Sequence, residues 1–140
     1  MIAALAAGDL AAWTGLEPGL TRETVAAALG PADPDRDLGG RFAGEPRPFR
    51  HYAATPAAPA GIDVWFSGPQ AVAITFAPAN VTPESLGPPE TIAGRDAVRT
   101  HVYAGRGLAL EVARDGAVER LIGFAPTTTA AFLAGPLATH

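Results

Sequence analysis

The chain contains no cysteine and no lysine. The first absence removes disulfides, thiolate nucleophiles and thiolate metal sites. The second leaves ten arginines as the only permanent cations against fourteen acids, a formal charge of −4. That balance lacks the electrostatic term that drives nonspecific nucleic-acid binding, and it disfavours an anionic membrane surface. No apolar run approaches the about 20 residues needed to cross a bilayer as a helix. The N-terminal apolar stretch has no basic residue before it and is cut by Asp9, so it does not read as a typical signal segment and a cytoplasmic location is expected. Long helices are also unexpected, because sixteen glycines and fourteen prolines punctuate 140 residues, above the usual share of about 7% and 5%.

What is present is a repeat. Gly61-Ile62-Asp63-Val64-Trp65-Phe66, a turn, and Val72-Ala73-Ile74-Thr75-Phe76-Ala77-Pro78 match Gly107-Leu108-Ala109-Leu110-Glu111-Val112, a turn, and Arg120-Leu121-Ile122-Gly123-Phe124-Ala125-Pro126. Each copy reads as a hairpin, and Asp115-Gly116 is a strong turn signal. Upstream, His51-Tyr52 sits against His101-Val102-Tyr103, and Leu29-Gly30-Pro31 against Leu86-Gly87-Pro88. The expectation is a tandem duplication in one 140-residue domain, unit one over about 15–78 and unit two over about 82–126, with short terminal helices. A chain of this length buries roughly two-thirds of its unfolded surface without metal or disulfide staples.

Helix signals are local. Thr21 is an N-cap, Glu23 favours the positive helix end, Val25, Ala28 and Leu29 form a buried stripe, and Gly30-Pro31 ends the helix. Thr82-Pro83 to Gly87-Pro88 has the same grammar compressed to one turn. A helix is also expected over residues 2–13, and a short one over 130–134 after the caps offered by Thr127 to Thr129. Strands are expected over 49–54, 61–66, 71–76, 98–103, 107–113 and 117–124. Residues 32–48, rich in proline and glycine, read as the longest loop.

These elements give an α+β fold: one antiparallel sheet of about six strands, with short helices on one face and the other face open. Alternation puts Ile62, Val64, Phe66, Leu108, Leu110 and Val112 on the core face, together with Val72, Ile74, Phe76, Ile122 and Phe124. The opposite face then carries Asp63, Trp65, Thr75, Glu111, Glu119 and Leu121.

The Gly19-Leu20-Thr21, Val25 and Leu29-Gly30-Pro31 pattern, followed by three strands and a second such unit, resembles the tandem helix-then-sheet module of the beta-lactamase-inhibitor-protein-like and outer-membrane-assembly-lipoprotein (SmpA/OmlA, BamE)-like group. The resemblance implies a non-enzymatic protein that binds other proteins, often through the open sheet face. The lipid-anchor cysteine and the disulfides found in that group have no counterpart here.

Functional expectations follow from the faces. Trp65 beside Asp63 on an outward strand position has the character of an interface anchor rimmed by charge. Glu111 and Glu119 on the same face, with Arg41, Arg47 and Arg106 at the edges, complete the expected partner-binding set. The partner is a protein, basic by charge complementarity, or a second copy of the chain. The alternative is a small-molecule pocket or enzyme under the 32–48 loop, lined by Tyr52, Trp65 and Tyr103 with His51 or His101 as the polar group. Ser67 and Ser85 lie in no nucleophile elbow. Gly105-Arg106-Gly107 joins two strands rather than opening a helix, so it makes no phosphate loop. Asp33, Asp35 and Asp37 lack the glycine and distal glutamate of a calcium loop. No catalytic residue, metal or cofactor is therefore assigned.

Overall fold

The computed structural model describes residues 13–17, 19–32, 38–42, 45–56, 58–79, 81–94 and 98–134, with backbone alone at 39–42 and 45–47. The helix expected over 2–13, the acidic positions 33–37 and His140 lie outside these residues, save Trp13.

Among the described residues, eight strands form one antiparallel sheet: β1 (Leu38–Phe42), β2 (Glu45–Tyr52), β3 (Ile62–Ser67), β4 (Gln70–Phe76), β5 (Thr91–Ala93), β6 (Val98–Tyr103), β7 (Leu108–Ala113) and β8 (Val118–Gly123). Their order is β1-β2-β3-β4-β8-β7-β6-β5. Each half is a four-strand meander, and the halves meet last strand against last strand. The two strands beyond the expected six are the outer edges. β1 and the start of β2 occupy what the sequence presents as a loop. Pro46 and Pro48 are tolerated there because β2 pairs with β3 only from Phe49 to Tyr52, so two alternate missing N–H groups cost the central ladder nothing.

The two central hairpins share one register. Asp63↔Thr75, Val64↔Ile74, Trp65↔Ala73 and Phe66↔Ala71 in the first correspond in order to Ala109↔Ile122, Leu110↔Leu121, Glu111↔Arg120 and Val112↔Val118 in the second. Each has its bulge at the same place, between Trp65 and Phe66 and between Glu111 and Val112. At the junction, Ile74↔Gly123 and Phe76↔Leu121 flank Thr75↔Ile122 symmetrically.

This register corrects the expected faces on β8. Leu121 joins Ile62, Val64, Phe66, Ile74, Phe76, Leu108, Leu110 and Val112 in the larger core cluster, whereas Ile122 and Phe124 lie in a second cluster with Trp65, Ala73, Val102, Ala104, Ala109 and Phe132. Alternation along the strands places the two clusters on opposite sides of the sheet. Both faces are therefore packed.

The helices divide between them. α1 (Arg22–Leu29) lays Val25 on the first cluster. It starts at Thr21, whose hydroxyl accepts from Thr24 N–H, and ends at Gly30 with φ 86°. The one-turn 3₁₀ helix η1 (Pro83–Leu86) repeats this: Thr82 accepts from Ser85 N–H, and Gly87 has φ 80°. A second 3₁₀ turn, η2 (Ala104–Arg106), joins β6 to β7. α2 (Thr129–Ala134) lies on the second cluster, its Phe132 stacked on Phe124 at 4.9 Å between centroids. The expectation of helices on one face only is thus corrected. Trp13 closes the first face: its ring lies over Gly123, where a Cβ would sit 2.7 Å from it, and its Nε1 donates to Gly107 O. No helix among the described residues is long and apolar enough to cross a membrane.

Candidate functional site

Of the residues singled out by the sequence, the second face of the sheet holds Trp65, Asp63, Glu111 and His51, in three rows running across the strands. One row is aromatic. Phe49 of β2 lies opposite Trp65 of β3, with ring centroids 4.5 Å apart, and Trp65 lies opposite Ala73. Trp65 is only 7% exposed and its Nε1 donates to Thr75 Oγ1 at 2.9 Å. It is a core residue with a satisfied indole N–H, not the exposed anchor expected. The outward position is right, but this side of the sheet has its own packed cluster.

The middle row begins with His51 and Asp63, which are cross-strand neighbours. His51 Nδ1 and Asp63 Oδ1 are 2.7 Å apart, and the side chains are 39% and 36% exposed. Gly61 shapes this end: at φ 93°, a Cβ there would meet the His51 ring at 2.4 Å, so the imidazole rests on bare backbone. The row continues through buried Thr75, Ile122, Ala109 and Val102.

The third row is polar. Glu111 lies opposite Arg120 on one side and Thr100 on the other. Arg120 Nη2 donates to Glu111 Oε1 at 2.7 Å, with the arginine about one-third exposed. By register, Glu111 and Arg120 stand where Trp65 and Ala73 stand in the first half. Glu119 is the exposed residue skipped by the β8 bulge. Arg106, half-buried in η2, donates to Trp13 O at 3.5 Å, so it helps hold Trp13 against the sheet. The side chains of Arg41 and Arg47 lie outside the described residues.

The alternative pocket is not assembled. Tyr52 and Tyr103 are buried in the first cluster, whereas Trp65 belongs to the second. His51 faces the Trp65 side and His101 the Tyr103 side, so the residues proposed to line one cavity are divided by the sheet. The pairing of His51 with His101 also fails by one residue. Tyr52↔Ile62 and Tyr103↔Leu108 are the corresponding pairs, which puts His51 with Val102 and Arg50 with His101. His101 is half-buried, and burial holds its imidazole below the ordinary histidine value. Burial likewise pushes Tyr103 up, and its hydroxyl donates to Gly87 O at 2.9 Å.

Two groups escaped sequence reasoning. Arg120 is visible only once Glu111 is paired with it. Glu90, the residue before β5, accepts from Gly105 N–H at 3.0 Å and from the Thr129 hydroxyl, joining the entry to β5 with η2 and α2. Those bonds, the Thr129 contact foremost, hold its carboxyl below the usual range.

Among the described residues no three His, Asp or Glu side chains gather as a metal site. Comparison of the chain with family models, with curated proteins and with solved structures finds no match.

Proposed function

We propose that the chain is a non-enzymatic protein-binding module built from a duplicated strand unit, and that it meets its partner through the polar band of the second sheet face. The shared hairpin register and bulge support the duplication. One observation supports the binding reading: at corresponding positions the first half carries the buried Trp65–Ala73 pair and the second half the partly buried, ion-paired Glu111–Arg120, whose side chains keep 17% and 35% of their surface in water. One side of the face is thereby consolidated as core, and the other keeps oriented charges toward solvent.

The His51–Asp63 pair adds a second polar spot on the first half, separated from Glu111–Arg120 by buried Thr75 and Ile122. Each spot sets an acid beside a base, so the face offers a partner both donors and acceptors, fixed in direction by the strands. Charge patterns of this kind set register and encounter rate more than affinity. The overall acidity favours a basic protein partner.

The test exchanges the pair, Glu111→Arg with Arg120→Glu. The swap keeps the cross-strand attraction that supports the sheet and inverts the field seen from outside. Extract from the native host is passed over immobilised wild type and swapped chain. A protein retained by the first and released by the second, with equal Tm for both chains, is the expected outcome. Identical retained sets, or none, overturn the reading.

A further inference from the structure

We propose that the two halves respond differently to acid: protonation of His101 loosens η1 and the β5–β6 border, whereas the matching border of the first half, built on Arg50, does not respond. The register carries this inference. Arg50 pairs with Val64 and His101 with Leu110, and Val64 and Leu110 are corresponding positions of the two hairpins. Each half carries a capped turn with an acid two residues past its cap, Glu23 after Thr21 and Glu84 after Thr82. The charge of Arg50 acts on Glu23, and that of Glu84 acts on His101. A guanidinium keeps its charge at every accessible pH, but an imidazole does not.

The surroundings of His101 decide the direction. Its Nδ1 is buried and has no hydrogen-bond partner. Its strand neighbours are apolar, Ile92 on β5 and Leu110 on β7. The charged groups that act on it are Glu84 from η1 and Arg99 from its own strand, while β5 carries none. A proton added here creates a charge in a place that offers one acid in favour and one base against, and burial outweighs both. With the folded value lowered, the open state takes up the proton first. The neutral ring's contribution is complete above about pH 6.5 and is lost as pH falls below it. The border is also thin, with three residues in β5 and four in η1 against eight in α1.

The inference is independent of any partner, so its test uses the full chain alone. Hydrogen exchange is followed by mass spectrometry at about pH 7 and about pH 5, spanning the histidine range, and corrected for intrinsic rates. Segment 82–103 is expected to lose protection several-fold on acidification while segment 45–66 keeps it. His101→Gln should abolish the acid loss, and Glu84→Gln should deepen it, because the opposing carboxylate is gone. Parallel loss in both segments, no loss in the wild type, an unchanged loss in His101→Gln, or no deepening in Glu84→Gln each overturns the proposal.

Discussion

Truncating Trp65 separates a core role from an interface role. An indole buries about 200 Å² at about 25 cal/mol per Å², an upper bound of about 5 kcal/mol, and Trp→Ala changes in cores cost about 3–5 kcal/mol. With Trp65 at 7% exposure, Trp65→Ala should fall in that range, a large part of the about 5–15 kcal/mol that holds a domain together. The hydrogen bond to Thr75 Oγ1 refines the expectation. Trp65→Phe and Thr75→Val each strand one buried polar partner and should cost about 1–3 kcal/mol, whereas the double variant removes both and should cost less than their sum. Urea unfolding followed by circular dichroism measures all four chains. A Trp65→Ala loss under about 1 kcal/mol, or strict additivity in the cycle, would refute the placement of Trp65 in a packed second face.

Further expectations concern other points in the same framework. Gly107→Ala should prevent stable folding, since Gly107 has φ 64° and a Cβ would lie 2.1 Å from Phe124 O and 2.7 Å from Gly15 Cα; soluble yield and a thermal scan report it. Thr21→Ala should cost about 1 kcal/mol through loss of the α1 cap, read as a shift in the urea midpoint. For Glu90, whose folded value is lowered, the bonds to Thr129 and Gly105 are complete above the ordinary carboxyl value of 4.5 and are lost as pH falls through the folded value. Glu90→Gln should remove that acid dependence from the exchange protection of segment 124–134, and a wild-type profile flat across this window would count against it.

The parts of this fold written in local chemistry were legible from the sequence. Thr21, Thr82, Gly30 and Gly87 cap and stop their helices as such residues do anywhere, and β3 declares its faces because Asp63 interrupts an apolar alternation. β8 was harder. Leu121-Ile122-Gly123-Phe124 is apolar throughout because both faces are covered, so alternation cannot choose a register. The repeated Phe-Ala-Pro ending then drew the comparison one residue out of step, and a one-residue slip turns every side chain over. A separate one-residue offset on β6 matches His51 with His101, although Tyr52 and Tyr103 hold the equivalent core positions. The edge strands were hidden by prolines in β2 and by the brevity of β5. The side of Trp65 is legible but its burial is not, because nothing near it in sequence announces that Phe124 and Phe132 build a second cluster on that side.

The junction between the halves is the claim on which the faces, the polar band and the Arg50–His101 comparison all depend. Cross-strand nuclear Overhauser effects between β4 and β8 test it directly. Contacts pairing Ile74 with Gly123, Thr75 with Ile122 and Phe76 with Leu121 are the predicted result. A ladder displaced by one residue, pairing Ile74 with Ile122, or no contact between these strands, would contradict it.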